Sequence, residues 1–85
     1  MTINYSKQAV KFLRKQTLET KEQIIQKIEK LAAREPNLDI KTLTDMGADF
    51  RLRYGKIRIL FDDYGNVIDI IKIGYRGNVY KKGGR

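Results

Sequence analysis

The sequence predicts a single α+β domain spanning residues 1–85, with two N-terminal helices packed on one face of a small, mainly antiparallel four-stranded sheet in the order β-α-α-β-β-β. Three observations predict it. Apolar residues recur at helical spacing through the first half of the chain, and they alternate with charged residues at strand spacing through the second. The third is size: 85 residues bury roughly 60 % of the unfolded surface on folding, which suits one two-layer core and nothing larger.

Taken in order, residues 2–5 (TINY) predict the first strand. Ser6 is a natural N-cap for a helix over KQAVKFLRKQ, where Ala9, Phe12 and Leu13 share one face. Lys7, Lys11 and Lys15 line another face, which reads as a solvated helix surface before it reads as an RNA-contacting stripe. A second helix is expected to begin near Thr20, because TKEQ matches a capping box in which Thr20 and Gln23 satisfy each other's backbone donors. Ile24, Ile25, Ile28, Leu31 and Ala32 form its buried stripe, and Pro36, lacking an amide hydrogen, marks the turn that ends it. The stretch IKTLTDMGAD reads as a linker.

Beyond the linker the period changes. In FRLRYG, Phe50, Leu52 and Tyr54 alternate with Arg51 and Arg53, and in KIRILF, Ile57, Ile59 and Phe61 alternate with Lys56, Arg58 and Leu60. Gly55 joins the two as a tight antiparallel hairpin. DDYGN supplies a second turn, and VIDIIKIGY, apolar on both faces, predicts an interior strand. Lys72 and Arg76 share one parity on that strand, and Gly77 is expected to let the chain change direction before Tyr80. With the helices covering one face, the other is left open, and Arg51, Arg53 and Arg58 project from it together.

Composition limits what such a face can do. There is no cysteine and no histidine, which excludes disulfides, thiolate metal sites and the usual neutral-pH acid or base, and fits a reducing compartment such as the cytoplasm. No apolar run approaches the roughly 18 residues of a membrane span, and the opening TINYSKQAVK lacks the apolar core of a signal peptide. The 18 Lys and Arg against 10 Asp and Glu leave a net charge of +8, at the upper edge of the magnitude of about 2 to 8 that solubility asks for. The excess is concentrated in the second half, pointing to an anionic partner such as nucleic acid. Each arginine taken singly could pair with Asp49, Asp62, Asp63 or Asp69 across strands. Three guanidiniums on neighbouring strands repel one another unless an anion joins them.

The order of elements, the FRLRYGKIRILF hairpin and above all IGYRGNVYKK resemble the RelE toxins of the RelE/ParE toxin–antitoxin superfamily, over nearly the whole chain. The resemblance implies a metal-independent, cofactor-free endoribonuclease that cuts messenger RNA in the ribosomal A site. It also implies mRNA, the ribosome with its rRNA, and a cognate protein antitoxin as partners. By it, Arg58 corresponds to the family's mid-sheet arginine, Arg76 to its strand-end arginine and Tyr80 to its C-terminal tyrosine. Arg51, Arg53, Lys56, Lys81 and Lys82 are expected to hold the RNA. Arg51 and Arg53 fall where the best-known members carry lysines, and Tyr75 where many relatives carry histidine.

Metal-free RNA cleavage needs a base for the 2′-hydroxyl, charge stabilisation on the phosphorane and a proton for the departing 5′-oxygen. Arg58 and Arg76 suit the second task, since a guanidinium can hold two phosphate oxygens at once and stays charged. Tyr80 is the candidate for the first, or for stacking on a base, and the general acid is unassigned. Because an arginine cannot exchange protons as a lysine can, Arg51 and Arg53 supply charge and positioning alone. Two other readings use the same fold: a ParE-like DNA gyrase inhibitor that cuts nothing, and a non-catalytic ribosome- or RNA-binding domain.

Overall fold

In the computed structural model, which describes residues 1–80, the chain runs β1 (Thr2–Tyr5), α1 (Lys7–Arg14), α2 (Leu18–Ala32), β2 (Ile40–Thr42), β3 (Phe50–Tyr54), β4 (Ile57–Asp63), β5 (Val67–Tyr75) and α3 (Arg76–Val79). The sheet has five strands in the order β1-β5-β4-β3-β2, antiparallel except where β1 runs parallel to β5. This corrects the expected four strands and two helices. The extra strand, β2, lies inside the stretch read as a linker: it is three residues long, exposed throughout, and exists by pairing at the sheet edge with β3. The extra helix, α3, is one turn of RGNV, too short to announce itself by periodicity.

The first helix begins as the sequence predicts, with the Ser6 hydroxyl accepting from the Ala9 amide at 3.1 Å. The second begins near the expected point, at Leu18, but with a different cap. Its N-cap is Thr17, whose hydroxyl oxygen accepts from the Thr20 amide at 3.2 Å, so Thr20 is the third helical residue and the expected capping box with Gln23 is not used. α1 already ends at Arg14, and the next hydroxyl able to cap is the earlier threonine. α2 closes at Ala32, and the chain leaves it through Arg34 in the left-handed region (φ 60°) before reaching Pro36.

Ala9, Leu13, Ile24, Ile28 and Leu31 from the helices meet Leu52, Ile57, Ile59, Phe61, Ile68, Ile70 and Ile73 from the sheet. Burying each of the larger side chains contributes about 1.5–3 kcal/mol, and this single apolar layer dominates the fold. Ile25, Ala32 and Phe12 lie at its margin, only partly buried. A second, smaller cluster of Ala48, Leu60 and Val79, flanked by Leu43, Ile71 and Tyr80, occupies the opposite face. That face is therefore partly roofed, where the sequence led us to expect it open.

Two devices hold the margins. β1 stops at Tyr5, and the first turn of α1 takes over its pairing with β5. The Ser6 hydroxyl donates to the Ile71 carbonyl (2.7 Å), while the Gln8 side-chain amide donates to the Ile73 carbonyl (2.7 Å) and accepts from the Ile73 amide (2.8 Å). Gln8 thus imitates one residue of a strand. At the other end, Arg34 donates to both oxygens of Asp63 and to the Gly65 carbonyl (2.8 Å), clipping the exit of α2 to the β4–β5 turn. Among the described residues, no helix is long and apolar enough to cross a membrane.

Replacing Gln8 with alanine is expected to lower stability by about 1 kcal/mol, since both Ile73 backbone groups lose their partner, as chemical denaturation would measure. The Arg34 hydrogen bonds hold the Asp63 carboxyl at about 2, below its usual 3.8. A carboxyl with a depressed folded-state value stabilises the fold above its unfolded value and loses that contribution as pH falls towards the folded one. The stability difference between the wild type and Asp63→Asn should therefore be complete above pH 4 and vanish between about pH 4 and pH 2 in parallel melts.

Candidate functional site

Register places the charged residues of the second face in two rows. β3 and β4 set Arg53 directly opposite Arg58 and Arg51 opposite Leu60, while β4 and β5 set Arg58 opposite Gly74 and Leu60 opposite Lys72. At the sheet edge Lys41 faces Arg51, and the Arg53 amide donates to the Asp39 carbonyl at 2.9 Å, which brings Asp39 alongside Arg53. One row thus reads Asp39, Arg53, Arg58, Gly74 and the next Lys41, Arg51, Leu60, Lys72. Two arginines directly opposed across strands oppose folding, so their placement calls for a compensating anion.

Each arginine meets a different environment. Arg58 is only 7 % exposed, and its Nη1 donates to the carbonyls of Gly55 (2.7 Å) and Ile57 (3.2 Å). Gly55 sits at φ 58°, the left-handed geometry that a tight hairpin requires. Among the described residues no carboxylate pairs with Arg58. Arg51 donates from Nη2 to Asp39 Oδ1 at 2.8 Å, and Arg53 Nη1 lies 3.6 Å from Asp39 Oδ2. The Arg51 side chain is largely buried, and its Nε has no partner. The partners expected for these arginines are occupied elsewhere: Asp62 accepts from the Asp49 amide (2.7 Å), Asp63 holds Arg34, and Asp69 accepts from Asn4 (2.9 Å).

Arg76 and Tyr80 arrive on α3 and not on the strand. β5 ends at Tyr75, which caps α3 with extended backbone, so Arg76 is the first helical residue and the parity it was expected to share with Lys72 does not apply. Its amide donates to the Lys56 carbonyl at 3.2 Å, fastening α3 to the β3–β4 hairpin. The chain turns here, ahead of Gly77, and the glycine that matters is Gly74. A Cβ on Gly74 would lie 3.3 Å from the Val79 Cβ. The bare position lets α3 fold back across the sheet, carrying Arg76 and Tyr80 beside Arg58. Tyr75 goes the other way, its ring meeting Phe12 edge to face at 5.5 Å on the helix side.

Arg51, Arg53, Arg58, Arg76 and Tyr80 consequently line one groove of about 470 Å³. Five of the expected site residues meet there. Lys56 does not line the groove, its carbonyl serving to hold the Arg76 amide, and Lys81 and Lys82 lie outside the described residues. Lys41, Leu43 and Met46 join the lining, and Asp39 stands at its edge, all four missed in the sequence. The signal that could have found Lys41 was its alternation with Ile40 and Thr42, too brief to separate a strand from a linker. A smaller apolar pocket of about 240 Å³, beneath the end of α2 at Leu31, Leu38 and Phe50, holds no ionisable group beyond Arg34, Glu35 and Asp63.

No family model and no curated protein matches the sequence. Solved structures do match the fold. The chain is similar to one in the RelB–RelE antitoxin–toxin complex from Methanococcus jannaschii, with a TM-score of 0.70 and 24 % identity over 91 % of this chain and 94 % of that one. It is equally similar to a chain of the toxin–antitoxin complex RelBE2 from Mycobacterium tuberculosis, with a TM-score of 0.68 and 24 % identity over 88 % and 96 %. The fold is one found in toxin–antitoxin complexes. At this identity the likeness concerns backbone architecture, and the chemistry rests on the side chains of the groove.

Gly74→Val tests how that groove is built. The added side chain should push α3 off the sheet, costing no more than about 1–3 kcal/mol, since the main core is untouched. Amide shift changes in two-dimensional NMR should concentrate at residues 58–60 and 73–80 and at Gln8 and Phe12, which contact the same stretch of β5, and leave α2 unmoved.

Proposed function

We propose that this chain is the toxin of a type II toxin–antitoxin pair, a metal-independent endoribonuclease acting in the cytoplasm. It cleaves messenger RNA in the A site of the ribosome, and so inhibits translation. The observation that carries this reading is the convergence of Arg58, Arg76 and Tyr80, from two strand-separated parts of the chain, in one cationic groove. The fold likeness to chains of toxin–antitoxin complexes supports a cognate protein partner, and the packed core with a charged cleft favours the toxin over its antitoxin.

In the proposed reaction the scissile phosphate sits against Arg58 and Arg76. Arg58 is already desolvated and held by two carbonyls, so little reorganisation is needed when negative charge builds on the phosphorane. Tyr80, at the end of α3, takes the 2′-hydroxyl proton or orients that hydroxyl. The 2′-oxygen bonds to phosphorus as the bond to the 5′-oxygen breaks, leaving a 2′,3′-cyclic phosphate and a 5′-hydroxyl. The departing oxygen needs a proton for which the groove offers no histidine, and the lysine in its lining, Lys41, lies on the edge strand opposite Arg51 and not beside Arg58. A ribosome-bound messenger held in an attack-ready shape compensates for that deficit.

In cells, mapping messenger 5′ ends with and without ribosome-blocking drugs should show cuts within codons that vanish when the A site is blocked. Arg76→Ala or Tyr80→Phe should abolish cleavage, by 100-fold or more as expected for lost charge stabilisation or base catalysis, while ribosome binding persists. Cleavage and binding falling together would mark a non-catalytic RNA-binding domain. Intact messengers with stalled replication would mark a gyrase inhibitor.

A further inference from the structure

We infer that Asp39 is an internal stand-in for a phosphate: its carboxylate occupies Arg51 and Arg53 in the free protein and is displaced only when single-stranded RNA spans the groove. This inference rests on the reading of the groove as an RNA site. It divides that site into a first anion position, at Arg58 and Arg76, and a second one that is masked.

The geometry of the fork is the first ground. Asp39 presents one oxygen to Arg51 at 2.8 Å and the other toward Arg53 at 3.6 Å, the two-oxygen arrangement that a phosphate also offers to guanidiniums. The second is asymmetry. Among the described residues no carboxylate pairs with Arg58 or Arg76, and Arg58 is almost fully buried, where a cation gains most from an incoming anion. A first phosphate therefore goes to that end of the groove, while Asp39 already neutralises part of the other.

The remaining grounds concern how readily Asp39 yields. Its side chain is 51 % exposed, and it precedes β2, whose three residues are all exposed at the sheet edge. The Asp39–Arg53 pair, open to solvent on both sides, is weak and screened by salt, and in the Asp39–Arg51 pair water reaches the carboxylate though Arg51 is largely buried. Arg51 is meanwhile incompletely served, since its buried Nε has no partner while Asp39 engages Nη2. A phosphate, with more acceptor oxygens than a carboxylate, can satisfy what Asp39 leaves open.

The test is binding of a fluorescent six-nucleotide single-stranded RNA, followed by anisotropy across salt concentrations. The variants are Asp39→Asn, the charge-matched control Asp45→Asn, and Arg53→Gln in the wild-type and Asp39→Asn backgrounds. Asp45 lies beside the groove residue Met46 and makes no ion pair with the arginines, so it reports the general effect of one lost negative charge. Asp39→Asn should tighten binding about tenfold and steepen the salt dependence by about 0.7 to 1.4, one to two further phosphate contacts. Asp45→Asn should tighten it no more than about twofold, and Arg53→Gln should weaken binding several-fold only in the Asp39→Asn background, a coupling that general electrostatics does not produce. Equal effects of the two asparagine variants, equal effects of Arg53→Gln in both backgrounds, or weaker binding by Asp39→Asn would each overturn the inference while the groove reading stands. Failure of both wild type and Asp39→Asn to bind the RNA would overturn the groove reading and the inference together.

Discussion

The cationic face depends on how β4 pairs with β5. Between Leu60 and Phe61 the register slips: Leu60 opposes Lys72 and Phe61 opposes Ile70, so Ile71 is an extra residue on β5. In an unbroken strand, residues 68, 70, 72 and 74 would share a face, and the core would have to bury Lys72 beside Ile68 and Ile70. The bulge inverts the alternation, so that Ile68, Ile70 and Ile73 all enter the core. Ile71 joins the cluster on the opposite face, and Gly74 comes to lie across from Arg58. The backbone carbonyl that the bulge displaces at Ile71 is taken up by the Ser6 hydroxyl, and Gln8 secures Ile73 just beyond it.

From that one irregularity the groove follows. Gly74 leaves room above the sheet, α3 folds into it with Val79 buried, and Arg76 and Tyr80 are held where the arginines of the hairpin end. The arrangement opposes stability locally, because Arg53 and Arg58 are directly opposed and Arg58 is desolvated. The main core bears that cost from the other side of the sheet. A molecule this small tolerates such a face because, among the described residues, its helices and strands bury twelve in one continuous layer, against three in the second cluster.

How much of this was legible in the sequence varies with the range of the interaction responsible. The start of α1, the core stripe of α2, the hairpin at Gly55 and the alternation of Arg51 and Arg53 against Phe50, Leu52 and Tyr54 are local patterns, and the structure agrees with them. The capping-box pattern at Thr20 is a local signal that the structure does not use, because Thr17, the first hydroxyl after the end of α1, caps α2 instead. β2 and α3 carry no local signal strong enough to read. Asp39, seven residues beyond the end of α2 at Ala32, had no visible reason to be preferred over four other aspartates as the partner of Arg51.

The sequence by itself determined the class of the fold, most of the core stripe of α2 and the apolar face of the hairpin, because each follows from periodicity; side-chain chemistry and the family resemblance singled out the arginines and the tyrosine at issue. Only the tertiary structure decided that these side chains share a groove, that Arg76 reaches it on a helix, and that a carboxylate from the edge of the sheet already engages two of them. The physical reason is the bulge and the close approach at Gly74. An alternating pattern specifies which residues share a face only while the strand is regular, and a single inserted residue, invisible in composition, reassigns every side chain beyond it.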